Sequence, residues 1–161
     1  MLYKRNNKLI ILLNPKIDEL NWKILKQLQH NARESFANIG RAIGLTAPAV
    51  AERVKKMEDL GIIMGYKATV SHALTGHQLK AIITLRAFMG KLKPFLAVVG
   101  NLEEVINCYR ITGNENIVME VVLKDQFHLE KFIDQLIQYG ETRTHIVLSQ
   151  VISNAPMHKI K

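Results

Sequence analysis

A run of small residues, Thr46-Ala47-Pro48-Ala49, is followed at helical spacing by Glu52, Arg53, Lys55 and Lys56. The chemistry such a set offers is non-covalent. Arginine and lysine donate to phosphate oxygens, and a helix end free of bulky side chains can approach base edges in a duplex groove. Two lysines alone would be an ordinary solvated helix face, since lysine is seldom buried. Their setting argues for more. Thr46 is suited to cap a helix that begins at about Ala47, and Pro48 falls in the first turn, where its missing N–H costs little. From there Val50, Val54 and Met57 follow i, i+4, i+7, one buried stripe. Pro48, Glu52, Lys55 and Lys56 then point away, with Ala49 and Arg53 on one flank.

Bond-making chemistry finds less to work with. The chain has six histidines and one cysteine, but no two groups show metal-ligand spacing or a nucleophile motif. His72 and His77 sit five apart in a loop-like stretch, as surface histidines do. Cys108, in a strand-like run, reads as a buried inert thiol, and a lone cysteine allows no intrachain disulfide, which suits a reducing compartment. The chain is expected not to be an enzyme and to need no metal or cofactor.

The elements that would position the basic helix are well marked. Asp18 is a good N-cap, and Leu20, Ile24, Leu25 and Leu28 make the buried stripe of a helix running to about His30. Ser35 caps a second helix, with Phe36, Ile39 and Ile43 inward. Gly44-Leu45 separates it from the third, and glycine gives the backbone freedom that a steep turn between helices requires. This is a helix-turn-helix pattern. Trp22 could stack on a base, but a lone helical tryptophan is expected in the core or an interface. After Gly61, Ile62-Ile63 and Tyr66 to Val70 read as extended chain leaving the unit.

Composition agrees. The 161 residues are 48% hydrophobic, enough for one mid-sized or two small cores. The net charge of +8 is uneven: residues 1–77 carry 12 Lys and Arg against 6 Asp and Glu, residues 78–161 carry 10 against 8. The basic half holds the helix-turn-helix, as attraction to phosphates requires. A membrane-surface role would need a basic amphipathic helix with an aromatic face, and none is clear. Lys4, Arg5 and Lys8 ahead of Leu9 to Leu13 mimic a signal peptide, but the apolar run is too short and no small-residue cleavage site precedes Pro15. No run approaches the roughly 20 residues of a membrane helix. Residues 1–16 are expected to be an N-terminal extension, strand or helix undecided, and the protein cytoplasmic.

The second half alternates differently. Strand patterns at Leu79 to Phe88, Val105 to Thr112, Ile117 to Lys124 and Thr142 to Ile152 are interleaved with helical patterns at Leu92 to Leu102 and around Leu129, Phe132, Ile133 and Leu136. Strand, helix, strand, strand, helix, strand is the split βαβ plan of ferredoxin-like domains. In the third strand Val118 and Val122 face one way and Met119, Val121 and Leu123 the other, so both sheet faces are expected to be largely apolar. A second copy of the chain is the simplest cover for the face without helices, which implies a homodimer. An RNA-binding sheet would show stacking aromatics, and the third strand has none.

Together these residues resemble the Lrp/AsnC, or feast/famine, family of transcription factors, from Ile17 to about Ile152. In the first half the resemblance rests on Asp18, Ile24-Leu25, Leu28, Asn31-Ala32-Arg33, Ile43-Gly44-Leu45-Thr46, Val50, Arg53-Val54, Glu58, Gly61, Ile63 and Gly65-Tyr66. In the second it rests on Thr112-Gly113, Phe132, and Thr142-Arg143-Thr144 leading to Val147. The resemblance implies an α+β protein: a helix-turn-helix (winged-helix-like) domain joined by a strand to a ferredoxin-like βαββαβ effector domain. It also implies dimers assembling into octamers or other higher oligomers, binding to double-stranded promoter DNA, and an amino-acid effector. The implied recognition helix starts at Thr46, and the implied effector residues are Gly113, Asn114, Glu115, Asn116, Thr142 and Thr144. The family's loop usually ends in Asp where this chain has Asn116, so amino-acid binding is expected to be weak or absent. Asn21 stands where the family often has a second acid.

The expected organisation is an extension at 1–16, a DNA-binding domain at 17–66, a linker strand at 67–77, an effector and oligomerisation domain at 78–153 and a tail at 154–161. The expected function is sequence-specific transcriptional regulation, modulated by a small molecule such as an amino acid. The alternative is a stand-alone amino-acid-sensing module that regulates a partner enzyme.

Overall fold

The computed structural model describes residues 17–159, so the extension expected at 1–16 lies outside the described residues. The described chain forms two compact units, residues 17–68 with 154–159, and residues 69–153.

The first unit is built on three helices, α1 (Glu19–His30), α2 (Phe36–Ile43) and α3 (Ala47–Asp59). Each starts where an oxygen-bearing side chain can satisfy an orphan N–H: Asp18 accepts from Asn21, Ser35 from Asn38 and Thr46 from Ala49. The stripes meet in a core of Ile24, Leu25, Leu28, Ile39, Val50, Val54 and Met57, with Trp22 packed at its margin. Phe36, expected inward, is 38% exposed, because the core closes around Ile39 and the first residue of α2 lies clear of it. Gly44 ends α2 in the left-handed region at φ 76°. Gly40 matters equally: a Cβ there would stand 2.4 Å from the Leu45 carbonyl oxygen, so only glycine lets the turn fold back this tightly. The Met57 carbonyl then accepts from both Ile62 and Ile63, at 2.8 and 3.1 Å, and turns the chain away from α3.

Residues 66–70 run without a sheet partner and Ala73–Thr75 is a 3-10 turn, so the linker expected as a strand at 67–77 is not one in the single chain. A strand needs a hydrogen-bonding neighbour. Residues 154–159 return to α1: the Met157 N–H donates to Gln29 Oε1 at 2.7 Å, and Lys159 pairs with Glu19.

The second unit runs β1 (Leu79–Ala87), α4 (Leu92–Val98), β2 (Val105–Arg110), β3 (Ile117–Leu123), α5 (Gln126–Leu136) and β4 (Gly140–Ile146). Its antiparallel sheet has the order β2-β3-β1-β4, the ferredoxin-like arrangement. Ala81, Ile83, Leu85, Ile117, Met119, Val121 and Leu123 form the core with Phe95, Phe132 and Leu136 from the helices. Phe95 meets Tyr139 edge-on, ring centres 5.5 Å apart.

The opposite face corrects the expectation of two apolar faces. Val118, Val122 and Ile82 alternate there with Lys80, Arg86, Glu120 and Arg143, and Lys80 lies 3.5 Å from Glu120. The apolar signal of β3 was real, but its neighbours bring charge to the same face. β4 also ends at Ile146 rather than Ile152. Its last support is the Val147 N–H donating to the Lys80 carbonyl at 2.9 Å, since β1 begins one residue earlier. Leu148 and Val151 beyond it are over nine-tenths exposed.

Candidate nucleic-acid interface and effector loop

α3 has the division of faces that its spacing required. Val50, Val54 and Met57 are buried, Pro48, Glu52, Lys55 and Lys56 are exposed, and Ala47, Ala49 and Arg53 lie between. The Thr46 hydroxyl accepts from the Ala49 N–H at 3.4 Å, so Thr46, Ala47, Pro48 and Ala49 form the capped leading end of the helix.

Arg53 behaves differently from the lysines. Its Nη1 donates to Asp18 Oδ2 at 2.7 Å and to Asn21 Oδ1 at 3.0 Å, tying α3 to the start of α1. The Arg53 guanidinium and the Asn21 N–H together hold the Asp18 carboxyl below its usual range. At the far end of α3, Glu58 accepts from the Tyr66 hydroxyl at 2.8 Å. Burial and this carboxylate push the phenol up to about 12. A groove of about 510 Å³ runs between the start of α1 and α3, and Ile17, Asp18, Ala49, Glu52 and Lys56 are among its lining.

The six expected effector residues fall into three places. Asn114 and Glu115 line a small cavity of about 50 Å³ on the open face of the sheet, together with Thr84, Arg86, Glu141 and Arg143. Glu115 Oε1 is 3.1 Å from Arg143 Nη1, Arg86 is 3.9 Å from Glu141, and the buried Thr84 Oγ1 has no partner among the described residues. Gly113 and Asn116 shape the loop instead. Gly113 turns at φ 117°, and Asn116 Oδ1 accepts from the Ala87 N–H at 2.8 Å while its own N–H donates to the Leu85 carbonyl at 3.0 Å. Thr142 and Thr144 stand opposite Leu85 and Ile83, on the helix-covered face. The motif Thr142-Arg143-Thr144 therefore offers Arg143, not the threonines, to the cavity. Strand alternation through Arg143 was the signal that could have singled it out.

The other reactive groups are dispersed. Among the described residues no three His, Cys, Asp or Glu side chains are grouped to hold a metal ion. Cys108 is exposed rather than buried, because β2 is an edge strand, and partial burial nevertheless raises its thiol pKa.

A capped helix-turn-helix unit followed by a ferredoxin-like sheet unit defines a DNA-binding regulator with a separate ligand-binding type of domain. The sequence matches the AsnC-type helix-turn-helix domain over residues 17–58 and the Lrp/AsnC ligand binding domain over residues 80–157. It is 34% identical over 133 residues to the HTH-type transcriptional regulator YezC of Bacillus subtilis, covering 83% of this chain and 94% of that one. The fold is similar to that of B. subtilis LrpC, with TM-score 0.81 and 28% identity, over 86% of this chain and 99% of the other. It is also similar to a feast or famine regulatory protein from Mycobacterium tuberculosis complexed with L-methionine, with TM-score 0.80 and 25% identity, over 85% and 95% of the two chains. The chain belongs to the Lrp/AsnC family of transcriptional regulators. It is a DNA-binding regulator with an N-terminal helix-turn-helix domain and a C-terminal α+β domain.

Proposed function

We propose that α3 enters the major groove of promoter DNA with Thr46, Ala47, Pro48 and Ala49 towards the base edges, and that Lys55 and Lys56 hold the phosphates. The observation that carries this reading is the exposed, small-residue leading end of a helix whose other face is locked in the core. Glu52 borders the same surface and disfavours a phosphate at its own position, while Arg53 orients α3 through Asp18. Titration of labelled duplexes selected from the organism's genome tests it. Affinity falls by about 10³-fold or more between low and near-physiological salt if several phosphates are neutralised per site. A flat response overturns the assignment.

The protein works as a homodimer assembled through the open face of the sheet, where Ile82, Val118 and Val122 offer apolar contact between the charged side chains, and dimers join into octamers or other higher oligomers. It acts in the cytoplasm and has no catalytic role of its own. No helix among the described residues is long and apolar enough to cross a membrane.

An effector, where one acts, enters the cavity beside Asn114 and Glu115. The methionine complex of the mycobacterial relative makes an amino acid the natural class to test. In this chain Asn116 supplies no carboxylate, and Glu115 is already paired with Arg143. A charge-assisted hydrogen bond to the ligand ammonium, worth about 1.5–3 kcal/mol, is therefore weakened. Amino acids bind weakly or not at all, and DNA binding is largely insensitive to them. Isothermal titration against the twenty amino acids decides: micromolar binding of any one overturns this reading of the loop.

A further inference from the structure

The end of the chain belongs to one domain by sequence and to the other by packing. Residues 80–157 match the ligand binding domain, yet residues 154–159 group with the helix-turn-helix unit rather than with the sheet. Asn154, at the crossing, has φ 49°, and among the described residues it is the one non-glycine with positive φ. Asparagine tolerates that left-handed conformation better than most residues, so a corner is built where the chain changes units.

The surface that receives the tail is one edge of α1. Gln29 pairs with the Met157 backbone through both ends of its amide: the Met157 N–H donates to Gln29 Oε1 at 2.7 Å, and Gln29 Nε2 donates to the Met157 carbonyl at 3.4 Å. Two residues further on, Lys159 meets Glu19. Glu19, Trp22 and Gln29 follow one another at i, i+3, i+10, so they share an edge of the helix, and the tail runs along it from the last turn to the first. Trp22, the only tryptophan, stands between the two anchor points at the margin of the core. Each tie is weak by itself. Both hydrogen bonds are exposed, and both members of the ion pair are more than half exposed, where such pairs contribute little. A contact held this lightly can open without unfolding either unit.

We propose that residues 154–159 are a releasable strap, which docks on the Glu19–Trp22–Gln29 edge of α1 and gives the ligand-binding domain a second hold on the DNA-binding unit besides the chain connection at 68–69. With one connection a helix-turn-helix unit swivels about it; with two its freedom is restricted. The paired units of a dimer then meet two half-sites at a lower entropic cost, so docking of the strap tunes binding to a complete target. This rests on the assignment of α3 to DNA and on the homodimer.

The test compares the full chain with its Gln29→Ala/Lys159→Ala variant, which leaves the buried stripe of α1 intact and places a good helix former at position 29. Acrylamide quenching of Trp22 fluorescence reads the docking. Titration of a selected target holding two half-sites, and of the same duplex with one half-site scrambled, reads its consequence. In the variant, Trp22 is expected to be quenched more readily and the thermal midpoint to stay within a few degrees of the wild type. Affinity for the complete target is expected to fall by about 5-fold or more, with affinity for the single half-site unchanged. Unchanged quenching overturns the docking. An equal loss on both duplexes overturns the strap in favour of a support for the helical unit alone, and no loss on either overturns its part in DNA binding. A flat salt response of the wild type would instead fall on the α3 assignment and take the coupling with it, while quenching still decides the docking.

Discussion

Arg53 on α3 and Asp18 at the cap of α1 are joined by a 2.7 Å contact from Nη1 to Oδ2, so the recognition helix is oriented by the same carboxylate that caps the first helix. Because the guanidinium also reaches Asn21, one side chain braces two turns of chain that are distant in sequence.

Arg53→Ala is therefore expected to act mainly on stability. The pair is partly exposed, with side-chain exposures of 32% and 52%, so the loss is about 0.5–1 kcal/mol and the thermal midpoint drops by a few degrees. Lys56→Ala, on the exposed face, leaves the midpoint in place and lowers DNA affinity, with a salt slope shallower by about 1. Melting curves and DNA titrations on the two variants separate the roles. A normal midpoint for Arg53→Ala would return that residue to the phosphate contacts.

Gly40→Ala is expected to cost more than either, about 2 kcal/mol or above. The new Cβ would meet the Leu45 carbonyl at 2.4 Å, a backbone atom that cannot move without opening the turn between α2 and α3. Chemical denaturation should show the loss, and DNA binding should fall with it.

The two faces of β3 should respond differently to a buried charge. Met119→Asp places a carboxylate in a core position with no exposure and should unfold the sheet unit. Val118→Asp lies on the open face, partly exposed, between Thr84 and Tyr109. It should keep the circular dichroism of the wild type while light scattering shows a smaller assembly. An unchanged mass would place the interface elsewhere.

At alkaline pH the tie between Tyr66 and Glu58 should be lost. Folding raises the phenol from 10.0 to about 12, which means the neutral form is favoured in the folded chain. The contribution is complete below pH 10.0 and disappears as pH rises through about 12. The difference in phenolate absorbance between wild type and Tyr66→Phe should titrate at about 12, and the stability difference between the two should vanish there.

The sequence by itself determined what depends on neighbours a few residues apart. Asp18, Ser35 and Thr46 as caps, the stripe Val50-Val54-Met57, and the alternation of β3 are local, because a cap reaches only the next turn and periodicity alone decides which side is buried. The order of six elements in the second half likewise sufficed for a ferredoxin-like sheet, since few topologies accommodate it. Tertiary structure decided everything that required a partner remote in sequence. It gave Arg53 to Asp18, Asn116 to Ala87 and Glu115 to Arg143, and it ended β4 where β1 begins. It also placed Arg143 rather than Thr142 and Thr144 at the cavity, because the face a strand residue takes is set by its register with β1. Residue type states what a side chain is able to bond. Only the packed chain states which bond is made, since each donor has many acceptors within its chemistry and few within its reach.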